Sequence, residues 1–301
     1  MNPPKIFAGS SNPKLTAQIS KLSKIPLGEI DLGIFADGEI DVWVKDEVNN
    51  TNAFVLQSCS PPVNDHIIEL ALIADALRRA GAHRVNAIIP YFGYSRKEKQ
   101  TRKGEPISAK VIADLIVTSG INKVICLDLH ADAIVGFFNV PVIYLTAQEI
   151  LASRLKKERL TSPLVVAPDV GGVKRARNFA TLLSAPMAVI EKRRQTEVRD
   201  TMEVLTISGE VVGDTAIIID DVISTGSTII ESAAILKKQG VKKVIVCATH
   251  AILAQNAQDR LQSSVIDKIF ITDSIEKNIK SKKFEIVSIA SLIADCLSEE
   301  I

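Results

Sequence analysis

Aromatic side chains are scarce, at 4% of 301 residues with a single tryptophan, and neither sign of charge prevails: 36 basic residues stand against 35 acidic ones. A formal net charge of +1 sets up no global field that would draw nucleic acid or an anionic membrane. So few aromatics offer no platform on which bases could stack. The expectation is no nucleic-acid partner and no membrane partner, and any anion site must be local. Cysteine is also sparse. Cys59, Cys126, Cys247 and Cys296 stand alone in sequence without metal-type spacing, which predicts reduced core thiols, no zinc and no disulfide. No apolar run is long enough to span a bilayer, and Met1-Asn2-Pro3-Pro4-Lys5 does not lead into the apolar stretch of a signal peptide. These absences point to the cytoplasm.

What the chain does have is core: 47% of it is hydrophobic. Its length suggests two domains on a prior of ~150 residues each, with a boundary placed near Leu145 or Thr146, giving 1–145 and 146–301. Apolar runs predict strands at Lys5 to Ala8, Phe54 to Gln57, Arg84 to Ile89, Lys123 to Asp128, Leu164 to Ala167, Ala188 to Glu191, Thr215 to Asp220 and Lys243 to Thr249. Most are apolar on both faces, as buried parallel strands are. Helical patterns intervene at Asn64 to Ala80, Ser108 to Ser119, Ala147 to Lys157, Gly172 to Leu183 and Ser227 to Gln239, several closed by Gly81, Gly120 and Gly240. This alternation predicts an α/β architecture of two similar doubly wound, mainly parallel sheets.

The most informative segment runs from Thr215 to Thr228. An apolar strand stops at Asp220 and Asp221 and enters the turn Val222-Ile223-Ser224-Thr225-Gly226-Ser227-Thr228. Two adjacent acids at a strand end can accept hydrogen bonds from vicinal hydroxyls, as an acid does for ribose in dinucleotide folds. The following turn offers four hydroxyls and a glycine just ahead of a helix whose first amides are unpaired, which suits a phosphate. Together they describe a ribose 5-phosphate site. The plainer alternative is a strand-to-helix connection with Thr225 or Ser227 as N-cap and solvated aspartates.

Other constellations lie elsewhere. Phe35-Ala36-Asp37-Gly38-Glu39 carries a tight-turn dipeptide before an alternating strand, and by itself says hairpin. Arg96 to Lys103 holds five basic residues in eight, among them Lys97 beside Glu98, after a strand's carboxyl end where ligands collect in open α/β sheets. In Asp128-Leu129-His130, an extended chain would turn Asp128 and His130 to one side. Asp169-Val170-Gly171-Gly172 follows a strand and precedes a helix, a natural cradle for pyrophosphate with magnesium. Lys192, Arg193 and Arg194 place three cations in a polar segment expected just after a strand.

The ribose segment resembles the type I phosphoribosyltransferase signature, and the whole set resembles the phosphoribosyl pyrophosphate synthase family, from Lys5 to the helix near Ile289. The matching stretches are the nucleotide loop at Phe35 to Glu39, the signature opening at Asp128-Leu129-His130-Ala131, the pyrophosphate loop at Asp169 to Gly172, the catalytic loop at Lys192 to Arg194 and the ribose loop at Asp220 to Thr228. The resemblance implies transfer of the diphosphoryl group of ATP to the C1 hydroxyl of ribose 5-phosphate, with Mg2+ as cofactor and ATP and ribose 5-phosphate as partners. It implies that Phe35, Asp37 and Glu39 contact adenine from a neighbouring subunit of a homodimer or higher assembly. Arg96, Lys97, Glu98 and His130 would serve ATP, His130 and Asp169 the metal, and Lys192 and Arg194 the transition state. Ser224 stands where an aspartate is common, and Lys97 and Glu98 where glutamine and aspartate are. Ala133, Val135, Ile143 and Asn49 replace polar or basic residues at the family's regulatory positions, implying weak or absent phosphate activation and ADP inhibition. Two rivals remain open: a nucleobase phosphoribosyltransferase, which would share only the ribose loop, and a non-catalytic subunit of a synthase complex.

Overall fold

The computed structural model describes residues 1–194, 203–208 and 213–300. Its strands are β1 (Asn2–Ala8), β2 (Ile30–Ile34), β3 (Ile40–Val44), β4 (Thr51–Leu56), β5 (Arg84–Ile89), β6 (Lys123–Leu127), β7 (Val142–Leu145), β8 (Pro163–Ala167), β9 (Met187–Arg194), β10 (Glu203–Ser208), β11 (Thr215–Ile223), β12 (Lys243–Ala251), β13 (Lys268–Thr272) and β14 (Phe284–Val287). Its helices are α1 (Pro13–Ser23), α2 (Val63–Arg79), α3 (Ser108–Thr118), α4 (Gln148–Leu155), α5 (Val173–Leu183), α6 (Ser227–Lys238), α7 (Ala257–Ser263) and α8 (Ala290–Glu299), with 3-10 turns at Asp132–Phe137 and Val170–Gly172.

The described residues form two compact units. The first holds residues 1–146 together with 273–276 and 288–301; the second holds 147–272 and 277–287. Helix α8 therefore groups with the first unit, whereas a single cut near Leu145 assigns it to the second.

In the first unit the sheet order is β1-β4-β5-β6-β7, parallel throughout. Apolar strands interleaved with helices give this result, because each crossover helix must cover a sheet face. Phe7, Val55 and Ile89 from the strands meet Leu70, Ile73 and Leu77 from α2 in one core. Each such side chain contributes ~1.5–3 kcal/mol by leaving water. The ribbon β2-β3 stands outside the main sheet, its Ile30, Leu32, Val42 and Val44 packed on that core and Trp43 exposed. Helix α1 starts at Pro13 behind Asn12, whose side chain caps the Leu15 amide at 3.2 Å.

In the second unit the order is β10-β9-β8-β11-β12-β13-β14, parallel except for the antiparallel β10-β9 edge. From β8 the chain builds outward to β9 and β10. It then returns to β11 on the other side of β8 and builds the opposite way through β14. The order reverses between β8 and β11, and that is where an open α/β sheet leaves a crevice at the carboxyl ends of its strands. The first unit's sheet runs in one direction from β4 to β7 and has no such reversal. Two sequence-based expectations change. Strand β9 continues to Arg194, with Lys192 opposite Leu205 and Arg194 opposite Glu203, so Lys192 to Arg194 are strand residues rather than a segment after a strand. Strand β6 ends at Leu127, and Asp128 takes a left-handed φ of 38°.

Candidate active site

The acid pair sits where β11 emerges at the switch point. Asp221 is buried, with a side chain 5% exposed, and Asp220 is half-buried. One guanidinium joins them: Arg175, on the first turns of α5, lies with Nη1 3.1 Å from Asp220 Oδ1 and Nη2 3.0 Å from Asp221 Oδ1. Burial pushes the Asp220 carboxyl well above the usual carboxylate range, the charge of Asp221 adds to this, and Arg175 opposes it. The strand itself runs on past the acids to Ile223. It continues because Val222 and Ile223 still find partners in His250 and Ala251 of β12.

The turn that follows is tightly constrained. Gly226 adopts φ 74°, and a Cβ there would stand 3.2 Å from Leu261 Cγ. Only glycine fits both demands. Gly226 is also the N-cap of α6 and supplies no side-chain bond, so no side chain at the cap occupies the first amides of the helix. The plainer alternative, with Thr225 or Ser227 as N-cap, is not what forms. Instead Thr225 Oγ1 and Ser227 Oγ lie 3.3 Å apart, and Arg260 of α7 donates to Ser227 Oγ at 3.1 Å and to the Thr225 carbonyl at 3.4 Å. Ser224 and Thr228 complete the half-buried rim of hydroxyls.

One strand away, Asp169 follows β8 and caps the 3-10 turn Val170–Gly172, its Oδ1 accepting from the Gly172 amide at 3.0 Å. Val170 and Gly171 are exposed, and Gly172 is buried under the start of α5. The switch point therefore carries two carboxyl-terminal loops, the phosphate turn after β11 and the diglycine loop after β8. A cavity of 530 Å³ lies at the opposite end, where Ser162, Pro163, Gly213 and Asp214 surround the amino ends of the same two strands.

The remaining expected residues lie in the first unit. Phe35, Asp37 and Glu39 are exposed at the tip of the β2-β3 ribbon, where Phe35 N–H donates to the Glu39 carbonyl at 2.8 Å and Gly38 takes φ 95°. Asp37 Oδ1 accepts from the Glu39 amide at 3.2 Å, fixing the turn. The basic run after β5 is a folded loop rather than a loose solvated one. Glu105 accepts from Thr101 Oγ1 at 2.6 Å and from the Thr101 and Arg102 amides at 3.1 and 3.2 Å, and the Thr101 bond leads in drawing its carboxyl below the usual range. Lys97 and Glu98 pair with Glu105 and Lys99 at 3.5 and 3.2 Å, while Arg96 is exposed and makes no ion pair among the described residues. Asp128 is buried and takes the left-handed φ of 38°, and His130 is exposed. Among the described residues no three His, Cys, Asp or Glu side chains form a metal-holding group. No described helix is long and apolar enough to cross a membrane.

Two arginines at the sugar-phosphate end escaped sequence reading. Arg175 meets its acid 45 positions away and Arg260 its serine 33 positions away. The only local hint was a basic pair, Lys174-Arg175, just past the diglycine loop.

An acid pair, a hydroxyl-lined helix N-terminus and a diglycine loop at the switch point of a parallel sheet define the class of α/β proteins that bind ribose phosphates. Residues 4–120 match the family described as the N-terminal domain of ribose phosphate pyrophosphokinase, and residues 196–299 match the phosphoribosyl synthetase-associated domain. The ribose-phosphate pyrophosphokinase of Bacillus caldolyticus is 43% identical over 98% of this chain and 93% of its own, and that of Thermosipho africanus is 40% identical over 98% and 94%. The crystal structure of phosphoribosylpyrophosphate synthetase from Mycobacterium smegmatis superposes with a TM-score of 0.92 at 34% identity, covering 98% of each chain. This chain belongs to the ribose-phosphate pyrophosphokinase family.

Proposed function

We infer that the chain transfers the diphosphoryl group of ATP to the C1 hydroxyl of ribose 5-phosphate, giving phosphoribosyl pyrophosphate and AMP. The observation that carries this reading is the acid pair and phosphate turn at the switch point, in a chain whose likeness to the family runs nearly end to end. Asp220 and Asp221 accept from the ribose hydroxyls, and Ser224, Thr225, Ser227 and Thr228 with the first amides of α6 hold the 5-phosphate. The diglycine loop, Asp169 to Gly172, takes the pyrophosphate. Lys192 and Arg194 neutralise charge that develops on the transferred group, since this chemistry is mostly positioning and electrostatics. Phe35, Asp37 and Glu39 read the base, and Arg96, unpaired among the described residues, reaches the nucleotide phosphates.

Magnesium fits the donor set only as an ion carried in by the nucleotide. His130 and Asp169 are its proposed protein donors, an exposed imidazole and an exposed carboxylate that already spends one oxygen on Gly172. Phosphate oxygens and water would fill the other octahedral positions. Bound there, the ion supplies charge neutralisation for the phosphoryl oxygens.

Control by phosphate and ADP is proposed to be weak. At the positions where the family places polar or basic regulatory residues, Ala133 is exposed and apolar, Ile143 lies within β7, and Asn49 is exposed and uncharged. None can neutralise a phosphate. The self-association proposed is a homodimer or larger assembly in which the Phe35 turn of one copy completes the nucleotide site of another, supported by the exposure of Ile34, Phe35 and Trp43 on one ribbon. Four buried free cysteines accord with the cytoplasmic setting proposed. Coupled formation of AMP and phosphoribosyl pyrophosphate from magnesium-ATP and ribose 5-phosphate tests the reading. Release of pyrophosphate from phosphoribosyl pyrophosphate by a nucleobase, without that reaction, would replace it.

A further inference from the structure

We propose that Arg175 is a positioning residue that sets sugar selectivity: it fixes Asp220 and Asp221 as one joined acceptor pair, shaped for the two vicinal hydroxyls of a ribose phosphate and poorly suited to a deoxy sugar. The proposal rests on the ribose 5-phosphate reading of the same strand end.

The geometry is specific. Arg175 sits three residues past the diglycine loop, and its fork spans both acids, one nitrogen to each, at 3.1 and 3.0 Å. Its side chain is 16% exposed, so the contact is held in a partly desolvated setting where charge counts for more than on the surface. A fork that takes one oxygen from each of two neighbouring carboxylates fixes their relative orientation, which a flexible ammonium cannot do. The Asp220 Oδ1 atom also accepts from the Asp221 amide at 2.9 Å, so this oxygen is locked from two sides.

The pair needs such a partner. Two adjacent carboxylates at a buried strand end repel and hold protons more tightly than free ones, a tendency that Arg175 partly offsets. A protonated acid can no longer accept from both hydroxyls. Among described residues, the other charged or titratable groups on the elements packed against β11 are Asp169, Lys174 and Arg177 near and on α5, Glu231, Lys237 and Lys238 on α6, and Lys243, Cys247 and His250 on β12, with Lys237, Lys238 and Lys243 toward the far ends of their elements. Arg175 contacts both acids at once.

The test uses the purified full chain as wild type, Arg175→Met, Arg175→Lys and, as control, Arg177→Met, an exposed neighbour on the same helix. Calorimetric binding and steady-state kinetics are measured with ribose 5-phosphate and 2-deoxyribose 5-phosphate from mildly acidic to mildly alkaline pH, with melting curves alongside. In Arg175→Met the KM for ribose 5-phosphate rises about tenfold or more, the scale of a lost charge-assisted hydrogen bond. The KM for ATP stays put, and the preference for ribose over deoxyribose shrinks. Removing the cation raises the acids' pKa, so the fall in affinity on the acid side moves to higher pH. Arg175→Lys keeps that limb near its wild-type position while its KM still rises. A purely structural role would lower the melting temperature and leave the limb and the sugar preference alone, and that result overturns the proposal. So does a lowered KM, which would mean the guanidinium competes with the sugar. Should Arg175→Met fail to fold, a lysine variant with wild-type KM and selectivity overturns it as well. Wild-type binding of ribose 5-phosphate without turnover would sink the transfer reaction and leave the Arg175 comparison to the binding ratios. Wild type that binds no sugar phosphate would sink both.

Discussion

At the residue scale the acid pair carries a cost in stability. Asp220 carries a folded pKa above its unfolded value, so the native state holds its proton more tightly. Ionising it therefore costs folding free energy as pH rises from the ordinary carboxylate range through the raised value. Asp220→Asn removes that cost. The variant is expected to melt higher than wild type at neutral pH, by roughly 2 °C for each kcal/mol relieved. The gain disappears in acid, where both states are protonated, and the KM for ribose 5-phosphate rises. A lower melting temperature at neutral pH would contradict the assignment of strain to Asp220. The thiols make a second residue-scale case. Burial pushes Cys59 and Cys126 up to about 12 and Cys296 up to about 11. A thiol that stays protonated is a poor nucleophile. Thiol reagents at mildly alkaline pH should leave the native protein unlabelled and modify it only in denaturant; labelling of the native fold would contradict this.

The acid pair was legible because two adjacent carboxylates closing an apolar run stand out as a candidate site at a strand's carboxyl end, although the strand runs on to Ile223 and Asp221 is buried. Arg175 was not, because its partner lies 45 positions on and nothing local marks the meeting. At Asp128 the alternation argument meets a backbone it did not assume, a left-handed φ of 38° just past the end of β6.

At the element scale the strands that bury both faces were readable from composition alone: Arg84 to Ile89 matches β5, and β8, β11 and β12 begin within one residue of expectation. Their ends were less readable. Strand β9 runs to Arg194 because β10 pairs with it, a cross-strand partner that a single segment does not announce. Helices α1 and α7 and strands β7, β10 and β14 escaped for a related reason, being short or amphipathic elements stabilised by what they pack on, and β13 escaped although it is apolar and buried. The phosphate turn yields the element-scale prediction. Gly226→Ala forces a side chain into a left-handed φ against Leu261, at about 1 kcal/mol or more of strain. The KM for ribose 5-phosphate should rise severalfold while that for ATP holds. Equal effects on both substrates would mean the turn supports the fold at large rather than the phosphate.

At the scale of the whole molecule, charge neutrality shifts the burden of binding anions onto local devices. Helix ends, glycine turns and single arginines are the local devices proposed to do what a basic surface does elsewhere. The exposed Phe35 ribbon leads to a prediction about assembly. Phe35→Ala and Lys192→Ala protomers, each weak alone, should recover activity when mixed and allowed to exchange. Mixtures no more active than their components would contradict a nucleotide site completed by a second copy.

The central claim is the diphosphoryl transfer, and the most direct measurement follows AMP and phosphoribosyl pyrophosphate from magnesium-ATP and ribose 5-phosphate, with and without inorganic phosphate, beside Lys192→Ala. The account predicts stoichiometric formation of both products with little dependence on phosphate, and a rate about a hundredfold lower in the variant, near the ~3 kcal/mol typical of one lost transition-state contact. No AMP from wild type under either condition would contradict it.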